Sequence, residues 1–157
     1  MGIPDYFSEY LDEYETMEER QKNFPQLLGR YFNEEIVNST GFLRKLLELE
    51  RSFRLVLTAI RAKKLHRDIV KEIQYEDPED DLVALILAQK DALTFEPPEE
   101  FYDLAALYEK NFESPLELHR ALIVWKFNKI LEMEGIDPFS IDKILGYTAR
   151  LLLVEKL

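Results

Sequence analysis

Apolar residues in this chain recur three and four positions apart, the spacing of one helix face. No stretch alternates apolar and polar residues with β-branched enrichment for long enough to predict a strand. The clearest run covers 42–67. At about 100° per residue, Phe42, Leu46, Leu49, Phe53, Val56, Leu57 and Ile60 share an arc about 100° wide. Leu43, Leu47, Thr58 and Leu65 form a second strip beside it. Two strips predict a helix packed on two neighbours, a central element of the fold. The run 116–134 is apolar over a wider arc. Leu116, Ile123, Phe127, Ile130 and Leu131 lie on one side, and Leu118, Leu122, Trp125 and Met133 lie largely opposite. A helix apolar on most sides is a buried one. The last helix is expected to pack against it through Ile141, Ile144, Leu145, Thr148, Leu151 and Leu152.

The punctuation between runs is that of helices. In Ser114-Pro115-Leu116-Glu117, Ser caps, Pro takes the first turn and Glu sits at the capping-box position. Asp77-Pro78 and Asp137-Pro138 repeat the cap-then-proline logic. Gly135 suits a left-handed helix stop. Six to seven helices follow, over about 6–16, 18–38, 42–67 with an extension to 73, 79–93, 99–110, 116–134 and 139–157. Pro25 is expected to break or kink the second. Pro97-Pro98 makes a rigid joint. The fold class is all-α, a compact helical bundle.

Composition narrows the function classes. A chain of 157 residues is the size of one domain and buries roughly 70% of its unfolded surface. One helical domain over 1–157 is therefore expected. There is no cysteine, so disulfides and thiolate metal sites are excluded. No apolar run is long enough to span a bilayer, and no membrane insertion is expected. Met1-Gly2-Ile3-Pro4-Asp5 lacks the basic and apolar regions of a signal peptide, which points to the cytoplasm. The net charge of −11 argues against nucleic acid and anionic membranes as partners. Its distribution is uneven. Residues 41–75 carry 9 basic and 4 acidic side chains, whereas 1–40 and 76–113 are strongly acidic.

Candidate chemistry is sparse. The 2 histidines, His66 and His119, belong to no metal or protease motif. Glu76-Asp77-Pro78-Glu79-Asp80-Asp81 lacks the spacing, the central glycine and the terminal glutamate of a calcium loop. Acidic residues there suit a helix N-terminus. No nucleophile–base pair or phosphate loop can be assembled, so no catalytic residue, metal or cofactor is expected. Arg61, Lys63, Lys64, Arg67 and Lys71 cluster at the end of the long helix. They suit its dipole and also form a candidate face for an acidic partner. Glu50, Arg54 and Arg61 form a candidate structural ion cluster that would fix helix register. Tyr6, Phe7, Tyr10 and Tyr14 recur at helical spacing, as a core stripe does.

The segment 53–65, Phe-Arg-Leu-Val-Leu-Thr-Ala-Ile-Arg-Ala-Lys-Lys-Leu, resembles one in an uncharacterised bacterial family encoded with V-type ATPase genes. It is more distantly similar to the central-stalk subunit, C or d, of V/A-type ATPases. Pro4-Asp5-Tyr6-Phe7 and the ending from Phe139 to Tyr147 look like that family too. The resemblance implies a stalk-subunit-like helical fold and a non-catalytic role in coupling or assembly. It also implies ATPase subunits as protein partners, and a cytoplasmic location peripheral to the membrane. Beside that family the chain is short, as the C-terminal part of a longer protein would be. The alternative is a cytoplasmic helical adaptor that binds an unrelated acidic protein.

Overall fold

A computed structural model describes residues 2–157, and its secondary structure is helical throughout, with no strand among the described residues. The α-helices are α1 (Asp5–Glu13), α2 (Met17–Asn38), α3 (Gly41–Lys64), α4 (Ile69–Glu72), α5 (Asp81–Ala88), α6 (Tyr102–Asn111), α7 (Pro115–Met133) and α8 (Ile141–Val154). A 3-10 turn at Glu99–Phe101 precedes α6. The count exceeds the expected six to seven because the tail of the long helix separates as α4.

His66 makes that separation. Its φ of 52° is left-handed, the conformation that ends a helix. The Arg67 amide reaches back to the Ala62 carbonyl at 2.8 Å, and the His66 amide to Lys63 at 3.2 Å. This is a Schellman stop with histidine where glycine is usual. Gly135 is left-handed after α7, as expected. The break expected at Pro25 is absent, and α2 runs through it. One missing N–H costs less than the packing and the complete Thr16–Glu19 capping box hold in place.

Neither Asp-Pro pair caps its helix, and each actual cap lies three residues after the aspartate. The Asp77 and Asp137 carboxylates accept from the amides of Glu79 and Phe139, forming local turns. The actual caps are Asp80, which accepts from Leu82 and Val83, and Ser140, which accepts from Lys143.

The chain divides into two compact units, Met1–Ser39 with Arg51–Phe95, and Thr40–Glu50 with Glu96–Leu157. Only α3 contributes residues to both. In the first unit, α1 packs on α2. Tyr6, Tyr10 and Leu27 form the core of that hairpin, with Tyr14 packed against them. The aromatic stripe is thus core, except for Phe7, which is exposed. The Tyr6 hydroxyl donates to Glu35 at 3.0 Å, and burial together with that carboxylate pushes its pKa up to about 12. Arg20 bonds the last carbonyls of the α1 segment, those of Leu11 and Tyr14.

Within α3 no residue from Arg51 to Ile60 is exposed. Leu55 and Ala59, outside both predicted strips, are fully buried, while Leu43 and Leu65 are exposed. The helix is enclosed over its middle, not striped.

In the second unit, α6 and α8 both pack on α7. Phe42, Ile123, Ile130 and Leu153 form a core there, joined by Leu46, Leu49 and Phe127. The expected packing face of the last helix is reversed. Ile141, Ile144, Leu145, Thr148, Leu151 and Leu152 are all exposed, and the buried residues of α8 are Gly146 and Leu153.

Candidate interaction surface

The predicted basic patch lies at the corner between α3 and α4. Arg61, Lys64, Arg67 and Lys71 are exposed there, and Arg67 approaches Glu72 at 3.9 Å. Lys63 is not part of that surface. Its ammonium donates to the carbonyls of Gln89, Lys90 and Ala92 at 2.6–2.7 Å. Those carbonyls follow the end of α5, and the Gln89 carbonyl also accepts from the Ala92 amide at 3.0 Å, so Lys63 closes a helix end in the same unit. Lys63 is therefore structural, and the other four of the five cations spaced as a patch are exposed.

The predicted Glu50–Arg54–Arg61 cluster is not formed. Glu50 pairs with Lys126 at 2.7 Å within the second unit. Arg54 pairs with Glu76 in the first unit and lies over the Phe32 ring. Arg61 is exposed. Helical i,i+4 spacing made Glu50–Arg54 possible, but each side chain gained a more enclosed partner from another element.

The ionic clusters that do form were not visible as motifs. In the first unit Glu76, with its side chain 3% exposed, meets Arg54 and also Arg51, which reaches on to Asp80 at 3.1 Å. This places the calcium-loop-like acidic stretch against arginines, and no group of carboxylates or histidines able to hold a metal occurs among the described residues. In the second unit Glu134 is fully buried, with Arg150 Nε at 2.5 Å and Lys143 Nζ at 3.0 Å. Burial works to raise the pKa of Glu134. The hydrogen bonds and charges of Arg150 and Lys143 outweigh it and hold the carboxyl below its ordinary range.

A helical glycine stands at each buried carboxylate. A Cβ on Gly29 would lie 3.2 Å from the Tyr75 carbonyl oxygen and 3.8 Å from Glu76 Oε1. A Cβ on Gly146 would collide with Cγ and Cδ of Glu134. Glycine in a helix interior costs roughly 1 kcal/mol against alanine, so a close approach is the physical reason to find it there. These two glycines were the readable signal for both clusters.

His119 contacts the Lys156 carbonyl at 3.0 Å, and His66 serves as the helix stop described above. A groove of about 330 Å³ between α7 and the end of α8 is lined by Val124, Phe127, Val154 and Leu157 among others.

Comparison with known proteins adds a family and no activity. A family model described as "Protein of unknown function (DUF2764)" matches residues 1–157. An uncharacterised protein of Chlamydia muridarum is 29% identical over 142 residues, 90% of this chain and 53% of its own length. One from Chlamydia trachomatis is 28% identical with the same coverage. One from Chlamydia pneumoniae is 32% identical over 126 residues, 80% of this chain and 47% of its own length. The chain spans about half the length of these curated relatives. No solved structure matches it.

Proposed function

The chain belongs to the DUF2764 family, and on that premise we propose that it is a non-catalytic helical component of a bacterial V/A-type rotary ATPase, accessory or central-stalk-like, acting in coupling or assembly. The observation that carries the reading is the placement of the segment resembling the stalk subunit. Residues 53–64 are the middle and end of α3, the one helix shared by both units. A helix of 24 residues is about 36 Å long and hydrogen-bonded throughout.

Docking in this reading uses the exposed cations Arg61, Lys64, Arg67 and Lys71 against an acidic protein surface. Affinity capture of the tagged chain from native membranes is expected to recover ATPase subunits. Reversing Arg61, Arg67 and Lys71 to glutamate together is expected to weaken that capture roughly tenfold or more. Repeated purification of an intact ATPase lacking this chain would sink the reading. The same exposed cations also favour an adaptor for an unrelated acidic protein. Capture that is sensitive to the reversal but contains no ATPase subunit would select that alternative.

A further inference from the structure

α8 is amphipathic in the wrong sense for a helix on the outside of a folded unit. Its inward side holds Gly146, Leu153 and the two cations, Lys143 and Arg150, that bond Glu134. Its outward side holds Ile141 (65% exposed), Ile144 (58%), Tyr147 (60%), Leu151 (49%), Leu152 (55%) and Val154 (46%). Rotating the helix to bury these residues would pull both cations off a fully buried carboxylate. It would also put bulky side chains where Gly146 gives Glu134 room. The apolar face is thus held outward by the ion cluster beneath it.

We propose that this face is the seam of a two-fold symmetric dimer, its occupant α8 of a second copy of the same chain. Three observations select a second copy. The six residues together expose roughly 600 Å², the top of the range for a monomer's largest patch, and two such faces together reach the lower end of a standard interface. An isologous contact sets a face against itself, so it must carry no opposed like charges. Here the only ionisable carboxylate or amine along the outward arc is Glu155, at the end of the helix, and antiparallel α8 helices place the two copies of Glu155 at opposite ends. At the centre of the arc stands Thr148, whose hydroxyl is turned back onto the Ile144 carbonyl at 2.9 Å, so it needs nothing from water.

A membrane surface is the poorer occupant. Interfacial helices attract anionic lipid through cations on the polar face. The cations of α8 are engaged with Glu134, and the chain as a whole carries −11. The dimer is independent of any ATPase association, because it uses a different helix from the α3–α4 corner.

Sedimentation equilibrium of the full chain across micromolar concentrations tests it. The expected result is a species of twice the chain mass. The double variant Ile144→Glu, Leu151→Glu is expected to raise the dissociation constant on the order of a hundredfold, with an unchanged far-ultraviolet helical signal. The chain has no cysteine, so Thr148→Cys supplies a single thiol at the two-fold axis and is expected to give a disulfide-linked dimer on mild oxidation. A wild-type chain that stays monomeric at every concentration overturns the proposal. So does a dimer that survives the double glutamate variant, or a Thr148→Cys chain that dimerises in solution without cross-linking. A monomer that floats with phosphatidylcholine or phosphatidylglycerol vesicles would give the face to lipid instead.

Discussion

Gly146 has no side chain because Glu134 occupies the place where one would stand. Glu134 cannot yield that place, since Arg150 and Lys143 hold its carboxylate on both oxygens. Gly146→Ala is therefore expected to destabilise, despite alanine's better helix propensity, by about 1–3 kcal/mol from overpacking. Urea unfolding measures it. In a Glu134→Ala background the added methyl meets no obstacle, so the cost should vanish, and equal costs in both backgrounds would contradict the account. Glu134 also ties stability to pH. Its folded pKa lies below the unfolded value of about 4.3. Its contribution is present above that unfolded value and is lost as pH falls through the folded one. Urea midpoints are expected to drop on acidification below about pH 4. Glu134→Gln should flatten this acid limb while costing about 3–5 kcal/mol at neutral pH, because it leaves two cations facing a neutral amide. Parallel acid limbs in the two proteins would place the acid sensitivity elsewhere.

At the scale of the element, helix ends here are closed by side chains from other segments. Arg20 closes α1, and Lys63 closes α5. Lys63→Met keeps the aliphatic stem and removes the donors from three carbonyls. It is expected to cost about 1–3 kcal/mol, a charged hydrogen-bond contribution reduced for partial exposure. Amide hydrogen exchange over 89–95 should accelerate more than exchange in α7. A uniform acceleration, or none, would mean that Lys63 does not hold this turn. The same residue shows the limit of reading a cluster by spacing. Arg61, Lys63, Lys64, Arg67 and Lys71 share a composition, but Lys63 is aimed at carbonyls some 26–29 residues away. The final helix makes the point more sharply. Its apolar periodicity was legible, yet the face so defined is the outward one.

Across the whole molecule, an acidic chain uses much of its positive charge internally. Arg51 and Arg54 serve Glu76, Lys126 serves Glu50, and Lys143 and Arg150 serve Glu134. The basic island of 41–75 is therefore partly consumed by its own fold; of its exposed cations, Arg61, Lys64, Arg67 and Lys71 lie at the α3–α4 corner, and Arg44 and Lys45 lie at the start of α3. The outward face of α8 is the other large surface feature, apolar where that corner is charged. The two suit different partners, which is why an acidic subunit is proposed for one and a second copy for the other.

Local signals along the chain determined the helical class, the extent of most helices, the stop at Gly135 and the core character of Tyr6 and Tyr10. Each depends on residues within a turn or two of one another, and a 3.6-residue period or a cap is a local property. Tertiary structure decided which helix face turns inward, which cation meets which carboxylate, and where the Asp-Pro segments hand over to their caps. Those outcomes compare energies between segments far apart in sequence. A buried carboxylate such as Glu134 recruits whatever cations can reach it, and desolvation makes that demand outweigh the preference of Ile144 or Leu151 for the interior. The mid-helix glycines Gly29 and Gly146 were the trace of this in the sequence: they marked that something must come close, and only the fold supplied what.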